Sequence, residues 1–278
     1  MWLRRGLLLA FSSLVLLAGC QSVETTQNSA VGVDRKQRFL VSEQQVDQAS
    51  AQAYQEVLAQ AKQKGALDKD TAALQRVKAI VSRLIPATGA LRPDAPKWPW
   101  EVHVLSSDEV NAWCMAGGKI AVYTGLLDKL KPTDAELANV IGHEMGHALR
   151  EHVREQVSRQ AGEQLALGVV GAVFNVPDVA QQLAPMLLDV TFNLPHSRSQ
   201  ETEADKIGVE LAARAGYDPK AAISLWQKMG KLGGAKPPQI LSTHPSDETR
   251  MKTLAAITDQ VMPLYQAAKS GGSASAGK

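Results

Sequence analysis

The chain has 278 residues, with 30 Lys and Arg against 28 Asp and Glu and a formal net charge of +2. So even a balance, with no basic tail and no aromatic-interleaved basic patch, argues for no nucleic acid partner. Two cysteines, one of them at the end of an apolar leader, exclude a fold built on disulfides.

Arg4 and Arg5 precede a mostly apolar run over residues 6–18, too short to span a membrane comfortably. The run ends in Leu17-Ala18-Gly19-Cys20, which resembles a bacterial lipobox. That resemblance implies cleavage before Cys20 and acylation of its sulfur and new amino group. More than one acyl chain makes such anchoring durable. Ser22 rather than Asp at the second mature position points to the outer membrane, with the protein facing the periplasm. Residues 1–19 therefore read as a signal peptide. Residues 20–40 read as the lipidated Cys20 and a polar tether, 41–269 as one domain, and 270–278 as a disordered tail. Losing Arg4 and Arg5 leaves 28 basic and 28 acidic residues, so the mature protein is nearly neutral.

Residues 42–64, rich in Ala and Gln with Val46, Tyr54, Val57 and Leu58, predict a helix ended by Gly65. Residues 70–84 predict a second helix, stopped by Pro86. A Pro-rich loop over 92–99 leads into a strand over 100–105, where His103 alternates with Val102 and Val104 and reads as structural. Residues 111–115 and 119–124 flank Gly117-Gly118, a hairpin signal. Cys114 sits in the first arm and reads as a buried, inert thiol, with a redox-sensitive or metal-approaching thiol as the alternative.

Pro132 ends a loop, and Thr133-Asp134-Ala135-Glu136 has the form of a capping box. Apolar Leu137, Val140, Ile141, Met145, Leu149 and Val153 follow at helical spacing. Within that helix lies His143-Glu144-Met145-Gly146-His147, an H-E-x-x-H motif. Residues four apart share a helix face, so His143 and His147 point two imidazoles at one metal ion. Glu144 is rotated by about 100° and can act as general base on a water at that metal. This is the pattern of a zinc peptidase.

A third protein ligand is required. The extended motif with a third histidine fails, because Arg150 and Val153 stand where it needs Gly and His. His152, five residues after His147, reads as a surface histidine or one that supports a ligand. The best candidate segment for a glutamate ligand is 197–205. Between lies 161–195, whose run 165–174 is apolar, interrupted by Gly168 and Gly171, and too short to cross a membrane. Pro177 and Pro185 break the rest. Core helices are the plainer reading of this region, and a lid or contact surface the sharper one.

H-E-x-x-H followed by Ser197-Arg198 and Glu201-Thr202-Glu203-Ala204-Asp205 resembles the HtpX and CAAX-prenyl-protease family of zinc metallopeptidases, peptidase family M48. Asn111-Ala112-Trp113, Gly117-Gly118-Lys119, Tyr123-Thr124-Gly125-Leu126, Ser242-Thr243-His244-Pro245 and Arg250 add to the resemblance, in family order. It implies one Zn2+ per chain held by His143, His147 and Glu201. Asp205, four residues on from Glu201, shares its face and can accept a hydrogen bond from a ligand's free ring N–H. Glu203 faces elsewhere, as a solvated charge or a structural ion pair.

The family match also brings His244 near the active site. There it could donate to the oxyanion, occupy the open zinc position and hold the enzyme latent, or merely order its loop. His196 is a weaker candidate. Asn111 and Arg198 are candidates for substrate binding, and Arg198 and Arg250 could bind substrate carbonyls or pair with acidic residues.

The expected fold is α+β and mostly helical, gluzincin-like, with a small β-sheet beside the H-E-x-x-H helix. A sheet edge within 111–123 could take a peptide as an added strand, or could be covered. The expected activity is that of a zinc metalloendopeptidase acting on unfolded or misfolded, outer-membrane polypeptides, with the membrane as a second partner through Cys20. A chaperone or assembly factor and a zinc hydrolase of a cell-wall amide are the alternatives. Oligomeric state is left open.

Overall fold

Ser42 accepts the backbone N–H of Gln45, and the Gln45 side chain returns to the Ser42 N–H. This capping box starts α1 (Glu43–Gln63), which ends at Lys64 and at Gly65, φ +62°. In this computed structural model the described residues are 22–166, 179–232, 238–245 and 248–275. The leader with Cys20, most of the apolar run 165–174, Pro177 and Ser246 lie outside them.

Asp70 caps α2 (Thr71–Thr88) through the Ala73 N–H. Pro86 does not stop this helix as expected; it sits in the last turn, where only one backbone bond is lost. Thr88 Oγ1 donates to the Ile85 carbonyl and helps close the end.

After β1 (Ser22–Val23) and β2 (Gln37–Arg38), which come earlier in the chain, three more strands follow: β3 (Glu101–Leu105), β4 (Ala112–Met115) and β5 (Lys119–Tyr123). The spatial order is β3-β5-β4, with β3 parallel and β4 antiparallel to β5, so β4 forms an edge. The predicted hairpin is present, with Gly117 at φ +71° and Gly118 at φ +76°. Gly118 is required twice over: a Cβ there would lie 2.6 Å from the Trp100 ring. His103 bridges Asp68 Oδ2 at 2.6 Å and Glu101 Oε1 at 3.1 Å, a structural role. Tyr54 of α1 donates to the Ile120 carbonyl and packs edge-on against Trp113, which ties the sheet to α1.

A short α3 (Thr124–Leu130) leads to α4 (Asp134–Leu149), which carries the H-E-x-x-H motif. Thr133 and Glu136 form the expected capping box. Leu137, Ile141, Met145 and Leu149 of α4 are fully buried in the main core, and β4 lies against this helix. Then come α5 (His152–Ala166) and α6 (Val179–Phe192). Pro185 does not break α6 but lies within it, on its exposed side. Leu183, Leu187 and Val190 of α6 pack with Val46 and Ala49 of α1, so this part of 161–195 is core. The chain closes with α7 (Arg198–Arg214), α8 (Ala221–Lys231), α9 (Gln239–Thr243) and α10 (Glu248–Ser275). Helix α10 runs to Ser275, into the stretch expected to be disordered.

The segment expected to be a tether is folded over residues 22–40. β1 (Ser22–Val23) pairs antiparallel with β2 (Gln37–Arg38), and Val31 and Val33 enter the main core. The segment looked polar because its Thr25, Thr26 and Gln37 are polar, yet each is buried. Gln37 donates to the Arg150 carbonyl, and Thr25 donates to Gln37. Polar groups that find partners can be buried at little cost. No helix among the described residues is long and apolar enough to cross a membrane.

Candidate metal centre

Helices α4 and α7 meet backbone to backbone. A Cβ on Gly142 would lie 2.8 Å from the Gly208 carbonyl oxygen, and one on Gly208 would lie 2.6 Å from the His143 nitrogen. A Cβ on Gly146, inside the H-E-x-x-H motif, would lie 3.0 Å from the Ala204 carbonyl oxygen. Three glycines thus let the two helices approach until a carboxylate on α7 reaches the imidazoles on α4.

That carboxylate is Glu201. His143 and His147 have Nε2 atoms 3.1 Å apart. Glu201 Oε2 lies 3.5 Å from His143 Nε2, and Oε1 lies 3.4 Å from His147 Nε2. His244, just past α9, adds Nδ1 at 3.2 Å from His143 Nε2 and 3.0 Å from Glu201 Oε1. The four residues offer ligand atoms within 4.8 Å of one another, and all four are buried. Three imidazoles crowded on one carboxylate, away from water, form a donor set suited to a metal ion.

Glu144 is buried beside them, 3.6 Å from His244 Nε2, and its Oε1 has no hydrogen-bond partner among the described residues. Burial pushes its carboxyl up, more than His244 and His143 draw it down. Burial likewise pushes His147 well down, helped by His196, which keeps its ring neutral. For Glu201 burial acts upward but loses to His244 and His147, which hold the carboxyl well below the usual range. For His244 burial acts downward but is outweighed by Glu201 and Glu144.

A second layer of side chains fixes the first. Asp205 Oδ1 lies 2.9 Å from His143 Nδ1. Arg250 grips Asp205 with two bonds, of 2.7 and 2.8 Å, and reaches Glu201 Oε2 at 2.8 Å, its guanidinium 3.8 Å over the Trp226 ring. Arg250 therefore pairs with acidic groups. His152 is fully buried, not at the surface, with Nδ1 2.9 Å from His147 Nδ1 and Nε2 3.0 Å from Glu203 Oε2. Glu203 is a structural ion pair rather than a solvated charge, bonded to Arg35 and Arg150. His196 lies 4.0 Å from His147, ring centre to ring centre, and meets Gln156 at 2.7 Å.

Two candidates are not brought to the cluster. Asn111 is buried at the start of the hairpin, where its Oδ1 accepts the Ala112 N–H. Arg198 is exposed in the first turn of α7, ahead of the ligand-bearing face. Cys114 is buried, and burial together with Glu144 pushes its thiol well up, the state of an inert thiol. The glycine contacts and the ties from Arg35 and Arg150 escaped sequence reading. Only the recurrence of Gly at 142, 146 and 208 hinted at the former.

Residues 72–258 match the family model described as peptidase family M48. The chain belongs to peptidase family M48. As such it is similar to the mitochondrial metalloendopeptidase OMA1 of Arabidopsis thaliana, with 42% identity over 174 residues, 62% of this chain and 35% of the relative. It is similar to metalloprotease LoiP of Escherichia coli, with 29% identity over 253 residues, 88% of this chain and 93% of the relative. It is also similar to the beta-barrel assembly-enhancing protease of Yersinia pestis, with 25% identity over 203 residues, 68% of this chain and 40% of the relative. Against the mitochondrial relatives of plant, cattle and fission yeast the chain spans 35%, 38% and 51% of their length. The M48 match covers every residue of the four-membered cluster.

Proposed function

We propose that this chain is a zinc-dependent metalloendopeptidase of the bacterial cell envelope. The observation that carries the reading is the buried set His143, His147 and Glu201 with Glu144 beside it. Zinc bonds to histidine and carboxylate of about 2.0–2.1 Å put tetrahedral ligand atoms about 3.3–3.4 Å apart. The separations here, 3.1, 3.4 and 3.5 Å, straddle that value.

Bound zinc would supply Lewis acidity, polarising the scissile carbonyl and lowering the pKa of water toward about 7. Glu144 takes the proton of the attacking water and delivers it to the leaving amine. Its raised carboxyl and its unpartnered Oε1 suit both halves of that task. Asp205 and Arg250 hold His143 and Glu201 in place.

His244 Nδ1 joins this set at 3.2 Å from His143 Nε2 and 3.0 Å from Glu201 Oε1, and would compete with water for the remaining position on a bound metal. This favours latency over oxyanion binding: His244 must swing away before a substrate can bind. A peptide would add beside β4. Asn111 and Tyr123 form a hydrogen-bonded pair, so by alternation the Ala112 carbonyl and the main-chain groups of Cys114 point away from β5, while the Ala112 N–H is taken by Asn111 Oδ1. Recognition of backbone suits unfolded segments of many sequences. A cavity of about 540 Å³ beside His196, lined among others by Arg35, Arg159 and Ser199, offers further room.

The lipobox-like leader supports anchoring through Cys20 in the outer membrane, and with it misfolded outer-membrane proteins as substrates. The test is cleavage of unfolded casein by the full chain and by Glu144→Gln, with bound metal measured in each. One zinc in both and cleavage by wild type alone supports the reading. Zinc in both with casein held but uncut by both wild type and His244→Ala supports a chaperone instead.

A further inference from the structure

The residues between the leader and the domain make contacts that a tether does not need. We propose that this arm is a working part of the metal site, in which Arg35, through Glu203 and His152, sets the tautomer and orientation of His147. The proposal rests on the reading of His147 as a metal ligand.

The argument follows the protons. Glu203 Oε2 lies 3.0 Å from His152 Nε2. An ionised carboxylate only accepts, so His152 carries its hydrogen on Nε2. A neutral imidazole has one N–H, which leaves His152 Nδ1 bare. His147 Nδ1, at 2.9 Å, must then donate to it. The hydrogen of His147 is thereby placed on Nδ1, and Nε2 is left bare toward His143 and Glu201. Were Glu203 to present a donor instead, the chain would reverse. His152 Nδ1 would donate, and His147 would aim an N–H at the position of the metal.

Glu203 is held in its accepting role from outside α4 and α7. Arg35 bonds both its oxygens, with Nε at 2.6 Å and Nη2 at 3.1 Å. Arg150 adds Nε at 3.0 Å, and is itself fully buried. Arg150 in turn spans the arm, donating to Thr25 Oγ1 at 3.0 Å and to the Arg35 carbonyl at 2.7 Å. The two histidine ligands are thus supported differently. His143 leans on Asp205 of α7. His147 leans on a line of three side chains that ends in the arm. Arg35, Glu203 and His152 are positioning residues, since none of them meets the metal position itself.

The test uses the full chain in detergent. Nitrogen-15 NMR of its histidines, in the metal-free protein, reads which ring nitrogen of His147 bears hydrogen. Zinc affinity is measured by competition with a chromophoric chelator. In wild type His147 is expected to be protonated on Nδ1. Glu203→Gln and Arg35→Gln should bind zinc 10–100-fold more weakly with an unchanged circular dichroism spectrum, and Arg35→Lys should recover part of the loss. Wild-type affinity in Glu203→Gln or in Arg35→Gln, or hydrogen on His147 Nε2 in wild type, overturns the proposal. Should a variant lose its fold, the wild-type tautomer decides alone. Absence of zinc binding by wild type would sink the metallopeptidase reading, while the metal-free tautomer would still be read.

Discussion

Replacing Gly208 by Ala tests the contact on which the centre is built. A Cβ at this position lies 2.6 Å from the His143 nitrogen, 2.8 Å from its Cα and 2.9 Å from the Gly142 carbonyl carbon. All three are backbone atoms, so no side chain can turn aside. Restoring ordinary contact requires α4 and α7 to part by roughly 0.8 Å. Overpacking of this kind costs about 1–3 kcal/mol, and rigid neighbours put Gly208 at the upper end. Better helix propensity of Ala returns about 1 kcal/mol. The net loss is about 2 kcal/mol, or a fall in Tm of about 4–8 °C for a chain of this size. The same parting draws Glu201 away from His143 and His147, so zinc affinity should fall together with Tm. Gly230 is the control, because a Cβ there meets nothing within 4 Å. Thermal melting and chelator competition on Gly208→Ala and Gly230→Ala check the argument. A Gly208→Ala protein that melts with Gly230→Ala and binds zinc like wild type would refute it.

His244→Ala should cleave casein faster than wild type, because it removes the side chain that competes with water at the cluster; a slower variant would favour the oxyanion role. Burial, with Glu43 and Glu151 near, pushes the Asp47 carboxyl up to about 6. An acid raised on folding contributes stability at low pH, below its unfolded pKa of about 3.9, and loses it as pH rises through 6. Asp47→Asn should therefore melt higher than wild type at pH 7 and match it at pH 3.5. The gain is about 1 kcal/mol after solvent screening of this partly exposed group, read as Tm against pH. Cys114 should resist iodoacetamide in the native protein and react once urea unfolds it; prompt native labelling would contradict its burial.

What was legible in the sequence is local. Capping boxes at Thr133 and the paired glycines of the hairpin act over three or four residues, so the helix of the H-E-x-x-H motif and the hairpin after 111 were readable. The motif itself brings its two histidines together by helix geometry alone. What was hidden is non-local. Glu203 could be read as a solvated charge or as a structural ion pair, and the sequence could not name its partners, because Arg35, Arg150 and His152 lie 168, 53 and 51 residues away. The arm over 22–40 looked like a tether because polar composition does not reveal that Gln37 and Thr25 are satisfied inside. Proline misled at Pro86 and Pro185, where a helix end and an exposed face accept it.

The most direct test of the centre is X-ray absorption at the zinc edge on the loaded full chain and on His244→Ala. The account predicts three imidazole nitrogens and a carboxylate oxygen in wild type. In His244→Ala it predicts two imidazoles, the carboxylate and a water-derived oxygen. An identical spectrum in both proteins, or a first shell without histidine, would contradict the four-residue centre.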